Sequence, residues 1–237
     1  MLRVNGEELK RFWTDVTIAD GAILLDGRVV RTPARATLAL PTAALADAVA
    51  AEWRAVGDKV DPRTMPLTGL ANAAIDRVSP DTGRFANDIG IYGETDVLCY
   101  RAAQPPELAA RQAALWDPLL DWARRRYDIA LTVTDGVAHV PQPSETIVRL
   151  NAAVAARSAF ELAALSPIVT VGGSLIVALM LAEGVLGADA AFNATHLDEL
   201  WQAELWGEDA LAAEASKLRR ADFVSAARFL SLLASGS

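Results

Sequence analysis

Hydrophobic and polar positions alternate in short runs at the start of the chain and then settle into helical spacing. Val16-Thr17-Ile18 and Ala22-Ile23-Leu24-Leu25 flank Asp20-Gly21, the strongest two-residue hairpin signal. Asp26-Gly27 repeats the device before Arg28-Val29-Val30-Arg31-Thr32, and Thr37-Leu38-Ala39-Leu40 makes a fourth strand of a small antiparallel meander. Pro41 ends the sheet and Thr42 can cap a helix. On that helix Leu45, Val49, Trp53 and Val56 share one face, with Gly57 just past its end. Trp53 therefore reads as a core anchor against the sheet. Pro66 opens a second helix with Leu67, Leu70, Ala74 and Val78 on one stripe. Ser79-Pro80-Asp81 supplies a cap, a first-turn proline and an acid suited to the helix dipole.

Beyond this point the pattern changes. Residues 96–101 read as an isolated strand. A long helix from Glu107 to Tyr127 aligns Leu108, Gln112, Leu115, Leu119, Ala123 and Tyr127, with Trp116 beside them. Leu131-Thr132-Val133-Thr134, Asp135-Gly136 and Val137-Ala138-His139-Val140 predict one more hairpin. The remainder reads as helices over residues 145–165, 173–186, 189–206 and 209–234. The expected class is α+β: an N-terminal domain over residues 1–78 with a β meander and helices, then a mainly helical domain over 79–237. The strands at 96–101 and 130–140 can belong to either part.

Composition narrows the class. With 237 residues and 52% hydrophobic content, the chain can bury a core without disulfide or metal staples. A net charge of −8 disfavours nucleic-acid binding, which depends on Lys and Arg at phosphates. Cys99 is the single cysteine, so no intramolecular disulfide is possible and a reducing compartment is expected. The first eight residues show neither a signal-peptide core nor an acid-poor transit peptide. The apolar run Leu175 to Ala182 is too short to span a bilayer and reads as a buried helix.

Candidate chemistry is sparse. His139 and His196 lie at no metal-ligand spacing, and no His-Glu-x-x-His occurs. Cys99 sits in an apolar, strand-like setting that predicts an inert thiol. There is no Gly-x-Ser-x-Gly elbow and no Gly-x-x-x-x-Gly-Lys-Ser/Thr phosphate loop. Gly172-Gly173-Ser174 could hold an anion on backbone amides, but without a following lysine a tightly packed helix entry is favoured. Arg124-Arg125-Arg126 and Lys217-Leu218-Arg219-Arg220 read as solvated basic clusters near helix C-termini. No catalytic residue, cofactor or metal is assigned.

The segment 196–207 is different. Projected at about 100° per residue, Leu197, Trp201 and Leu205 fall on one side and Glu199, Gln202 and Trp206 on the other. An acid beside an outward-facing tryptophan is an interface signature, because Trp is enriched among binding anchors. The plain alternative is that Trp206 tucks under the turn at Gly207 and Glu199 is merely solvated.

Arg11-Phe12-Trp13, Leu25-Asp26-Gly27-Arg28, Arg31-Thr32-Pro33, Glu52-Trp53, Met65-Pro66-Leu67-Thr68, Ala74-Ile75-Asp76, Trp201-Gln202 and Trp206-Gly207 recur here in a set order. In that order and spacing the chain resembles the assembly chaperone of the F-type ATP synthase that handles the alpha subunit, found in mitochondria and alphaproteobacteria. The resemblance runs nearly end to end. It implies an N-terminal α/β domain, a helical C-terminal domain and a non-enzymatic role: holding free alpha subunit soluble until beta takes its place. It makes Phe12, Trp13, Asp26, Gly27, Trp53 and Pro66 a structural signature. It aligns the family's functional acid with Glu199, with Asp198 and Glu204 as competitors and Gln202 and Trp206 beside it. A cytoplasmic bacterial monomer that binds the alpha subunit, without nucleic-acid binding or membrane insertion, is the expectation. Two other readings stand against it: an enzyme using carboxylate acid–base chemistry in a cleft between the domains, and a lipid-surface binder using the Leu175 to Ala182 helix.

Overall fold

A computed structural model describes residues 3–4, 7–8, 10–207 and 210–235. The strands are β1 (Arg3–Val4), β2 (Glu7–Glu8), β3 (Val16–Ala19), β4 (Ala22–Leu25), β5 (Arg28–Val29), β6 (Tyr100–Arg101) and β7 (Thr134–Asp135). The helices are α1 (Ala43–Ala55), α2 (Pro66–Ala73), α3 (Thr82–Gly90), α4 (Pro106–Tyr127) and α5 (Ser144–Ala155) in the first two thirds. They continue as α6 (Ala159–Gly172), α7 (Leu175–Ala182), α8 (Ala188–Thr195), α9 (Leu197–Trp206) and α10 (Ala210–Ala234). The class is α+β and mainly helical, with its three-stranded sheet near the N-terminus.

The meander forms as its turns require. Asp20 and Gly21 take φ of 51° and 76°, and Asp26 and Gly27 take 48° and 76°, the positive-φ pairs of tight hairpins. β3, β4 and β5 pair antiparallel in sequence order. The predicted fourth strand does not extend. It contributes isolated bridges Ala22↔Ala39 and Arg31↔Thr37 and the bonds Ile23 N to Leu38 O and Leu38 N to Val30 O. Leu38 and Leu40 are nevertheless buried, so the apolar alternation was real although the ladder is broken.

Each piece of the N-terminal signature has a structural task. The Arg11 guanidinium donates to Val56 O at 2.6 Å and its Nε to Trp13 O at 3.1 Å, which ties the end of α1 to the strand entry. Trp13 packs edge-on against Trp53 with centroids 5.3 Å apart, and both are buried. Asp26 accepts from the amides of Thr14 and Asp15, and these bonds hold its carboxyl below the ordinary range. Thr42 accepts from Leu45 N at 3.2 Å as the expected cap of α1. Pro66 sits in the first turn of α2, where Glu52 on α1 accepts from Leu67 N, Thr68 N and the Thr68 hydroxyl at 2.8, 2.8 and 2.7 Å. Asp76 in turn accepts from the Thr32 hydroxyl at 2.6 Å and Ala34 N at 2.9 Å. Phe12 remains exposed, its ring edge-on to Trp13.

Several other expectations are corrected. Asp81, not Ser79, caps α3, because the Ser79 hydroxyl donates back to Ala74 O instead. Residues 96–101 are not one strand: Asp96 caps a 3-10 turn over Val97–Cys99, and β6 is two residues long. Residues 131–140 form no hairpin. β7 pairs with β6 in parallel, and Val137, on the predicted second arm, is 98% exposed. On α4 the buried line is Leu108, Gln112, Trp116, Leu119, Leu120 and Ala123. Leu115 is 38% exposed, since the apolar stripe turns by about one position across the helix containing Pro118. The predicted helix 145–165 breaks before α6, where Ser158 and Glu161 form a capping box. The predicted helix 189–206 divides at His196. Residue 209, the predicted start of the last helix, lies outside the described residues.

The interior is one continuous apolar cluster running from Trp13 to Leu230. α7 is its centre: residues 175–181 are all buried, which rules out the lipid-surface reading of that segment. α10 packs along α6 and also touches α1 and α2, so the C-terminal helix closes over the N-terminal elements. The Thr42 hydroxyl donates to Leu232 O at 2.9 Å across that contact. No described helix is long and apolar enough to cross a membrane.

Candidate functional site

The segment singled out at the C-terminus becomes a short helix between two others. α8 ends where His196 leaves helical geometry, with φ −112° and ψ 21°. The His196 ring stacks on Phe192 at 3.9 Å, and its Nδ1 lies 3.0 Å from Phe192 O. Burial pushes the imidazole below its ordinary range, so His196 is a neutral packing residue at the hinge between α8 and α9.

α9 is anchored lightly. Leu197 is buried and Trp201 half-buried, but Leu205 is 55% exposed, so the expected buried side stops after its first two turns. Polar ties do the rest. Asp198 accepts from Gln112 Nε2 on α4 at 2.7 Å, and Arg111 forks onto both carboxylate oxygens of Glu204. Bonding to Arg111 holds the Glu204 carboxyl below the usual range, and the same guanidinium lies 5.5 Å over the Trp201 ring. Asp198 and Glu204 are thus both engaged toward α4.

Glu199 faces the other way. With Gln202 and Trp206 it lines a concave pocket of about 360 Å³, walled by Phe192 and His196, by Leu200 and Ala203, and by Ser216 and Arg219 of α10. Arg219 Nη2 donates to Glu199 Oε2 at 2.8 Å. Trp206 is 77% exposed and does not tuck under Gly207. The geometry brings three of the four predicted residues together and separates Asp198 from them.

Arg219 was not singled out, because Lys217-Leu218-Arg219-Arg220 reads as a C-terminal cluster. It lies instead in the first half of α10, where Arg219 pairs with Glu199 and Arg220 with Asp189. These partners are 20 and 31 residues away, beyond any local pattern. Arg126, of the other basic cluster, pairs with Glu183, which also accepts from Tyr127 and Arg157.

The candidate anion site at Gly172-Gly173-Ser174 is filled by the chain itself. Asp96 is fully buried and accepts from the Ser174 hydroxyl at 3.0 Å, Ile176 N at 2.9 Å and Leu98 N at 3.1 Å. Burial pushes its carboxyl up to about 6, against the lowering effect of those bonds. A carboxyl with raised pKa in a cleft is an enzyme signature, but Asp96 is sealed from solvent. Gly172 is a packing glycine: a Cβ there would lie 3.1 Å from Phe223 and Thr195 side-chain atoms. Cys99 is buried, and burial drives its thiol up to about 12, the inert state expected. His139 is half-exposed beside the Tyr100 hydroxyl and Glu94.

The geometry is that of an α+β fold in which a small meander is locked to a helical body, with an exposed tryptophan beside a pocket. Residues 10–124 match the family of the ATP12 chaperone protein. The mitochondrial protein atp12 of Schizosaccharomyces pombe is 29% identical over 220 residues, covering 85% of this chain and 75% of the relative. The crystal structure of Atp12 from Paracoccus denitrificans superposes with a TM-score of 0.89 at 43% identity, covering 94% of this chain and 98% of that one. A point variant of the same Paracoccus protein gives 0.90 at 42% identity, covering 95% and 99%. The chain belongs to the ATP12 chaperone family.

Proposed function

We propose that this chain binds the free alpha subunit of the F-type ATP synthase and keeps it soluble until beta displaces it. It acts as a monomer in a bacterial cytoplasm and catalyses no covalent step. An unpaired subunit exposes a large apolar interface and aggregates, so a protein that covers that surface reversibly is needed during assembly. The observation that carries the reading is the convergence of Glu199, Gln202 and Trp206 on one pocket, with Trp206 77% exposed. Burying roughly 150 Å² of that indole contributes about 4 kcal/mol before the costs of association. An anchor of this size supports capture yet leaves the complex open to replacement by a larger alpha–beta interface. Asp198 supports the surface from behind through its bond to Gln112.

The test is a pull-down by the tagged chain against purified alpha and purified beta. Capture of alpha but not beta is expected, with Glu199→Lys weakening capture while the melting curve is unchanged. Equal recovery of alpha by wild type and Glu199→Lys would remove the pocket from the reading. Failure to recover alpha at all would remove the function.

A further inference from the structure

The geometry points to a partner segment that carries a cationic side chain beside an apolar one, and assigns Arg219 as the intramolecular occupant of that cation's seat in the free chain. The inference rests on the reading that this pocket binds the alpha subunit, and it specifies what the pocket accepts.

Glu199 and Arg219 are the charged pair among the residues lining the pocket. Their contact spans α9 and α10 through the bond from Arg219 Nη2 to Glu199 Oε2, with the two side chains 46% and 56% exposed. An ion pair that open to solvent contributes only about 0–1 kcal/mol, so exchange for an incoming cation costs little. The seat already accepts a guanidinium, because Arg219 is in it. Asp198 and Glu204 are tied to Gln112 and Arg111, which leaves Glu199 as the acid of α9 that faces the pocket.

Sign follows from the surroundings. Once Arg219 leaves the seat, Glu199 is the charged acid left among the residues lining the pocket, so the seat favours an approaching cation over an anion. A purely apolar segment would cover the Glu199–Arg219 pair and bear its desolvation. A cation that replaces Arg219 instead lets that guanidinium swing out to water. Phe192, Leu200, Ala203 and Trp206 form the apolar wall for the neighbouring side chain. The exposed Trp206 ring can also carry the cation's alkyl stem or its charge.

The experiment measures affinity of the full-length chain for purified alpha subunit by calorimetry. Removing the internal competitor in Arg219→Ala should tighten binding by about two- to fivefold, the fold-change of an exposed pair. Arg219→Gln should do the same while keeping the length of the side chain. Lys217→Ala is the control: it removes the same charge from the same helix, where Lys217 touches Glu214 and not Glu199. In Glu199→Gln with Arg219→Ala the gain should disappear, because the seat has lost its acid. Weaker binding by Arg219→Ala, or an effect no larger than that of Lys217→Ala, overturns the inference. If Glu199→Gln weakens capture but Arg219→Ala does not tighten it, the binding surface stands and only the place-holder role falls. If Glu199→Gln captures alpha normally, the binding surface itself fails.

Discussion

Asp96 should make this protein more stable as the pH falls toward 5, the reverse of the ordinary aspartate. Its side chain is fully buried at the start of α7, and burial raises its carboxyl from 3.8 to about 6. The folded state therefore binds this proton more tightly than the unfolded chain does. The resulting stabilisation is complete below about pH 4 and is lost as pH rises through 6, where the charge must be held without water. A shift of that size corresponds to about 3 kcal/mol over the full range, of which roughly 1–2 kcal/mol falls between pH 8 and 5. His196 works in the opposite direction in the same window, because burial lowers its pKa and the unfolded imidazole takes up the proton first. The comparison that isolates Asp96 is urea unfolding of wild type and Asp96→Asn at pH 8, 7, 6 and 5, since His196 contributes equally to both. The offset at pH 8 mixes relieved burial with a lost acceptor for Ser174 and Ile176, so the diagnostic quantity is the slope. Wild type should gain roughly 1–2 kcal/mol on the variant by pH 5. Parallel curves would refute the reasoning and mean that the three bonds and the helix end fully offset the loss of water.

Three further outcomes are expected. Trp206→Ala should weaken capture of the alpha subunit by at least about 30-fold, the equivalent of a 2 kcal/mol anchor, while chemical stability stays within about 0.5 kcal/mol because the ring is 77% exposed. Gly21→Ala should cost more than Gly27→Ala in urea unfolding although both glycines have φ of 76°. A Cβ at 21 meets Leu40 O at 2.6 Å, whereas one at 27 meets nothing within 4 Å, so about 1–2 kcal/mol is expected at 27 and clearly more at 21. Glu52→Gln should destabilise the fold by about 1–3 kcal/mol, because an amide cannot accept all the bonds that Leu67 and Thr68 donate, and equal midpoints for variant and wild type would count against that role.

Features carried by adjacent residues were legible in the chain itself. The turns at Asp20-Gly21 and Asp26-Gly27, the Thr42 cap, the burial of Trp53 and the apolar character of α7 all follow from local backbone preference and side-chain period. The outward set Glu199, Gln202 and Trp206 was legible for the same reason, since helical spacing alone puts those positions together. What failed was everything decided by a distant neighbour. Residues 131–140 alternate like a hairpin, yet Thr134 and Asp135 pair with Tyr100 and Arg101 because the strand ladder was available there. Leu205 falls on the predicted buried side of α9, but it stays more than half exposed. Helical spacing favoured Glu199 among the three acids of α9, but their partners came only from the placement of α4 and α10: Gln112 takes Asp198, Arg111 takes Glu204, and Arg219 meets Glu199 at the pocket. Local periodicity determines which side of a helix a residue is on. Which charge waits on that side is a long-range fact, set by helices packed together across the core.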